Sequence, residues 1–225
     1  MENQISYFLP FIARAAGHGG FRNLYPFIFA GREGRDAAYD RIVLKEADID
    51  ELLFTPARIN EQSPYRQFFL KCLRARNPSA LYIEGLRLGC QAGPIDRAIL
   101  LLEGASRHLK YAIFALALFY ICSGNQAASD RTLAPLCRSH PNQPLYTCGE
   151  GGEAEQICNM IFMQIKSMVP AESGRFVKTW SYKPVPPCVA RMCDDDCDCF
   201  FHCSMELRCN KCFFYWTSMK LCEIC

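Results

Sequence analysis

The chain has 225 residues, half of them hydrophobic and 12% aromatic, with 25 Lys and Arg against 23 Asp and Glu. That length buries a core without help from bridges or metals, the composition excludes a disordered chain, and a formal charge of +2 gives no electrostatic reason to expect nucleic acid as a partner. An odd total of 15 cysteines, with singlets such as Cys90 and Cys122 inside apolar runs, points to a reducing compartment and hence to the nucleus or cytoplasm.

The amino end, MENQISYFLPFIARAAG, has an apolar stretch but begins with Glu2 and lacks a basic segment, so no signal peptide is expected. Residues 1–55, with Leu24, Phe29, Tyr39, Val43 and Leu44 at apolar positions, fit a helical cap on whatever follows. The glycines of GREGRD (31–36) and GEGGE (149–153) lack the strand-to-helix setting that a phosphate cradle needs.

Helix punctuation starts at Ser63, an expected N-cap with Pro64 at the first helical position, and recurs at Asn77 and Pro78. The second of these helices is expected to end between Gly89 and Gly93, after which Pro94 opens PIDRAILLLEGASRHL. KYAIFALALFYICSG follows, with Gly124 as its stop. Four helices of roughly 12 to 15 residues joined by short connections are predicted. Ala98, Leu101, Leu102 and Ala105 form one apolar stripe, and Ala112, Ala115, Leu116 and Phe119 another, at the i, i+3, i+4, i+7 spacing of a helix with one face to bury. The longest apolar run, Tyr111 to Cys122, falls short of the roughly 20 residues that cross a bilayer, so no membrane partner is expected.

ALYIEGLRLGC, from Ala80, matches AIFALALFYIC, from Ala112, at an offset of 32 (112 minus 80), pairing Gly85 with Ala117, Leu86 with Leu118 and Cys90 with Cys122. The offset is near the tetratricopeptide period of about 34 residues, and small residues recur where paired helices approach closely. A tetratricopeptide-like solenoid of helical hairpins and an ordinary helical bundle both fit. Residues 125–138 and 153–168 could add helices, separated by the loop SHPNQPLYTCGEGGE.

Past Pro184, Pro186 and Pro187, an expected extended linker, lie nine of the cysteines in the last 38 residues. Cys209, Cys212, Cys222 and Cys225 form two CxxC pairs, which suit the tetrahedron of a structural zinc. Their nine-residue spacer is shorter than the roughly 15 to 20 residues usual between such pairs. Cys193, Cys197, Cys199 and Cys203, with His202 beside them, form a second and less regular set. Reduced thiols that only pack, and disulfides, are the alternatives to zinc. The run Phe213 to Trp216 is expected to be the small core of this tail, and Asp194, Asp195, Asp196 and Asp198 a solvated acidic face that would repel phosphates. The four histidines sit in unrelated contexts and no nucleophile-elbow, zinc-protease or P-loop spacing occurs, so an enzyme is not expected.

FFLKCLRARNPSALYIEGLRLGC and DRAILLLEGASRHLKYAIFALALFYICSGN together resemble the middle of a large plant family of F-box proteins. The resemblance covers roughly residues 66 to 125 and rests on the entry from Asn77 to Tyr82, on Gly85, and on Leu101 and Leu102 before Ala105. It implies a short F-box, then tetratricopeptide-like repeats of the Sel type, then a cysteine-containing tail that Cys209, Cys212, Phe213, Trp216 and Cys222 match. The implied role is a substrate-recruiting adaptor that holds the Skp subunit of a cullin ubiquitin ligase with the F-box and a protein target with the repeats. An F-box opens with Leu-Pro and an acidic residue, whereas here Leu9-Pro10 runs on into Phe11-Ile12-Ala13-Arg14. A scaffold that no longer binds the ligase is therefore the second expectation. The expected organisation is an F-box-like region at 1–58, helical repeats at 59–182, and the linker and cysteine-rich module at 183–225, in a mainly α fold.

Overall fold

The computed structural model describes residues 2–90, 95–137, 152–168 and 210–224. Every regular element among them is helical, as the sequence predicts. The chain forms two compact units, Met1–Glu84 and Gly85–Cys225.

The first unit holds α1 (Glu2–His18), α2 (Tyr25–Phe29), α3 (Arg32–Ala38), α4 (Arg41–Glu46), α5 (Asp50–Phe54), α6 (Arg66–Arg74) and the start of α7 (Pro78–Gly89), with 3-10 turns at Phe21–Leu24 and Pro56–Ile59. α1 packs on α3 and α4. The core gathers Phe21, Leu24, Ile49, Leu52, Ile59 and Phe69, all removed from solvent. Phe21 stacks on Phe68 at 5.3 Å and meets Tyr25 and Tyr65 edge-on, so a single ring ties three segments together.

Local chemistry explains the helix ends. Asp40 caps α4, its Oδ1 accepting the amides of Ile42 and Val43. Pro78 opens α7 as predicted, and Asn77 accepts the Ala80 amide at 3.2 Å. The prediction at Ser63 is corrected: α6 begins at Arg66, and Ser63 instead accepts the Tyr65 amide in the turn before it. A hydroxyl bonding two residues ahead stabilises an ST-turn rather than a helix start. In GREGRD, Gly31 takes a φ of 106° at the start of α3, and a Cβ on Gly34 would stand 2.5 Å from the carbonyl oxygen of Phe27. The glycines of that motif serve a turn and a helix contact.

α6 ends in a Schellman motif: the amide of Asn77 bonds the carbonyl of Cys72 and that of Arg76 the carbonyl of Leu73, both at 3.0 Å. Arg76 takes the left-handed φ of 64° that this motif requires. Since that conformation costs an L-residue about 1 kcal/mol, Arg76→Gly is expected to raise stability by roughly 0.5–1 kcal/mol in a urea titration, and a loss would refute the assignment.

The second unit holds the end of α7, α8 (Asp96–Ser106), α9 (Lys110–Cys122), α10 (Gln126–Cys137), α11 (Glu153–Ser167) and α12 (Asn210–Ile224). α9 is its centre, and α8, α10, α11 and α12 all pack against it. The single apolar stripe expected on α9 is corrected, because Phe114, Ala117, Leu118 and Ile121 are buried as well as Ala112, Ala115, Leu116 and Phe119. A helix apolar on every side is stable only when neighbours enclose it. Gly124 stops α9 as predicted, with φ 77° and a second Schellman pair, Gly124 to Ile121 and Asn125 to Tyr120, each 2.8 Å. Asn125 then accepts the Ala128 amide at 3.1 Å and so caps α10.

The residues paired by the 32-residue offset, Ala80 with Ala112, Gly85 with Ala117, Leu86 with Leu118 and Cys90 with Cys122, are all buried. Gly85 lies against α8, where a Cβ would come within 2.8 Å of Leu102 Cγ. The run Phe213 to Trp216 lies in α12, where Tyr215 packs with Trp216 and Met219. Phe214 is buried, with its ring centroid 5.7 Å from that of Phe114 on α9. Cys193, Cys197, Cys199, Cys203, Cys209, Cys225 and the linker prolines lie outside the described residues.

Candidate interaction surfaces

About its middle α1 leaves four large apolar side chains in solvent: Tyr7 (71% exposed), Phe8 (56%), Phe11 (60%) and Ile12 (55%). Their spacing i, i+1, i+4, i+5 gathers them on one stripe, with Tyr7 centred 5.7 Å from Phe8 and 6.2 Å from Phe11. Four such residues side by side on one short stripe form an exposed apolar strip. Pro10 stands inside α1, not at a helix start.

An ion cluster anchors α1. Arg14 donates two hydrogen bonds to the Glu46 carboxylate, Nε at 2.5 Å and Nη2 at 2.9 Å, and His18 Nε2 lies 3.0 Å from the same group. The hydrogen bonds from Arg14, and then from His18, hold the Glu46 carboxyl below its ordinary range. A second carboxylate, Glu51, receives both Arg22 and Arg58, whose guanidinium carbons lie 5.6 and 6.0 Å from the centre of the Tyr65 ring. These contacts fix the orientation of α1 and of the turn after it, and so the direction in which the aromatic stripe faces.

Among the described residues no three His, Cys, Asp or Glu side chains gather as a metal site requires. Of the first expected zinc set, only the side chain of Cys222 is described. The backbone from 210 to 224 is one continuous helix, which separates positions 212 and 222 by about 15 Å along its axis. Sulfurs that share a tetrahedral zinc, each about 2.3 Å from it, lie within about 4 Å of one another. One ion held by both residues requires α12 to open between them.

Cys222 Sγ instead lies 3.6 Å from Cys122 Sγ on α9, and Cys122 Sγ lies 3.8 Å from the Ser218 carbonyl oxygen. A small side-chain rotation takes such a pair to a sulfur-sulfur bond of about 2.05 Å. Oxidised glutathione is therefore expected to join them: one sulfur forms a mixed disulfide, the other displaces the glutathione thiolate, and two reduced glutathiones leave per protein disulfide. Peptide mapping should recover the 122–222 link, and its absence after complete oxidation would rule out the approach of α12 to α9 at this point. Cys72 is the opposite case, a thiol whose burial pushes its pKa up to about 12 and leaves it inert as a nucleophile at neutral pH.

Tyr120, which donates to Glu103 at 2.6 Å, has its pKa pushed up to about 12 by burial and by that carboxylate, so it stays a hydrogen-bond donor. Sequence reasoning missed the stripe at Tyr7, Phe8, Phe11 and Ile12, although its helical spacing was legible. It missed the Cys122–Cys222 contact because the two positions are 100 residues apart. No protein-family profile, no curated protein and no solved structure matches this chain.

Proposed function

We propose that the chain is a non-catalytic adaptor whose amino-terminal unit docks a partner protein, in the manner of a substrate-recruiting F-box subunit that holds the Skp component of a cullin ubiquitin ligase. The observation that carries this reading is the solvent-facing stripe Tyr7, Phe8, Phe11 and Ile12 on a helix whose other side is tied down through Arg14 and Glu46. Aromatic residues held on a rigid element make effective anchors at an interface, since little side-chain entropy is lost on docking. The protein target belongs on the helices of the second unit, where Leu100 and Met163 are exposed. The resemblance of residues 66 to 125 supplies the identity of the partner, and the reading places the protein in the nucleus or cytoplasm.

The test is co-purification of the full chain with a plant Skp protein, set beside the variant Phe8→Glu/Phe11→Glu. Capture by the parent chain and weakening by roughly tenfold or more in the variant is expected, at an unchanged helical melting curve. Failure of the parent chain to capture Skp would sink the ligase role.

A second reading, a helical scaffold that no longer binds the ligase, is favoured by one observation: Pro10 lies within α1, where an F-box would have its entry turn. In that reading a bound zinc stabilises the tail through Cys193, Cys197, Cys199 and Cys203, or through Cys209, Cys212, Cys222 and Cys225 once α12 opens, and metal analysis of the purified chain decides it. The packing of Phe214 and Leu221 in α12 is apolar, so a strong chelator is expected to leave the helical circular dichroism largely intact.

A further inference from the structure

The first unit contains a cleft of about 300 Å³ lined by Tyr39, Arg41, Leu44, Lys71, Arg74 and Ala75. It lies where the residue after α3 and the helix α4 meet the second half of α6. Leu44 and Ala75 are buried and make its floor apolar, while three cations and a phenol ring make its walls. Lys71 Nζ sits 4.2 Å from the centre of the Tyr39 ring, a cation-π contact that restricts the ammonium group to the wall of the cleft.

Among the described residues no ion pair neutralises the charges around this cleft. Elsewhere in the unit Arg14 pairs with Glu46, Arg22 and Arg58 with Glu51, Arg32 with Asp36 and Arg66 with Glu84. Arg41, Lys71 and Arg74 have no carboxylate within ion-pair distance among the described residues. Asp40, next to Arg41 in the chain, is turned into the backbone, where Oδ1 accepts the amides of Ile42 at 2.8 Å and Val43 at 3.4 Å. Three like charges around one concavity repel one another, and the arrangement is relieved by an anion between them.

We infer that this cleft binds a phosphate monoester. A phosphoryl group carries about −1.5 to −2 charges at neutral pH and three acceptor oxygens, which match two guanidiniums and one ammonium, whereas a single carboxylate leaves most of the charge uncompensated. The volume accommodates a phosphorylated side chain or a small phosphate ester, and the apolar floor takes the carbon skeleton next to it. A polyanion is a poorer match, because the cations line one concavity rather than a track along the surface. The assignment is independent of the ligase reading, since the cleft uses none of the residues of the stripe on α1.

The test titrates the full chain with phenyl phosphate, with benzoate, and with a phosphotyrosine peptide beside its unphosphorylated form, each followed by calorimetry. Phenyl phosphate is expected to bind and benzoate to bind roughly tenfold more weakly. Lys71→Gln and Arg74→Gln are each expected to weaken phenyl phosphate about tenfold, while Arg35→Gln, at a cation that does not line the cleft, leaves affinity unchanged. A phosphopeptide that binds tighter than phenyl phosphate identifies a phosphorylated protein as the source of the ligand, and equal affinities identify a free phosphate ester. No binding of any phosphate probe, equal binding of benzoate, or the same loss in Arg35→Gln as in Lys71→Gln would overturn the assignment. Circular dichroism of each variant separates loss of binding from loss of fold.

Discussion

Asn77→Ala is expected to destabilise the amino-terminal unit by about 2–4 kcal/mol, the sum of a lost helix cap and of buried carbonyls left without a donor. Asn77 is only 2% exposed, and its amide serves two purposes at once. The oxygen accepts the Ala80 amide and caps α7, while Nδ2 donates to the carbonyls of Leu44 at 3.1 Å and Ala47 at 2.8 Å, where α4 ends. Removing the side chain leaves those two carbonyls and the Ala80 amide unsatisfied in a site that water does not reach. A fall in Tm of roughly 5–15 °C should follow. Asn77→Asp separates the two roles, because a carboxylate still caps α7 but turns an acceptor toward two carbonyls. It is expected to be no more stable than the alanine variant, and an aspartate variant that melts like the parent would show that the bonds to α4 contribute nothing.

Gly89→Ala is expected to cost about 1–3 kcal/mol in the second unit, even though alanine favours a helix over glycine by about 1 kcal/mol. A Cβ at this position would lie 2.5 Å from two ring atoms of Phe119 and 3.1 Å from a third, and that ring is fully buried on the last turn of α9. The ring has no open space to move into, so the strain spreads to the contacts that α9 makes with its neighbours. The companion variant Phe119→Leu vacates the ring position at its own cost. Combining the two should give a loss smaller than the sum of the single losses, the mark of two residues competing for one volume. Strict additivity in urea melts would exclude the contact as the cause.

Much of the middle of the chain was legible because its signals are local. A proline at the first helical position after a capping Asn needs only adjacent residues, and α7 begins at Pro78 for that reason. Gly124 likewise stops α9 by its own conformational freedom. The 32-residue match picked out Gly85, which lies tight against Leu102 of α8, and Ala117, which is buried. The same kind of signal misled at Ser63-Pro64, where the hydroxyl closed a turn and the helix began two residues after Pro64.

Helical class, the capped start of α7, the stop of α9 and the burial of the Ala-rich stretches were determined by the sequence alone, because each depends on residues within one or two turns of each other. Only tertiary structure decided the rest. The all-apolar α9 could have buried one face or all of them, and the number of helices around it settled the matter. Phe214 packs on Phe114 of α9, a contact that no local pattern encodes. Arg41, Lys71 and Arg74 became one cleft because α4 and α6 pack together. The physical reason is the same in each case: propensity and capping act over a few residues, whereas burial and charge depend on which distant segments the fold brings into contact.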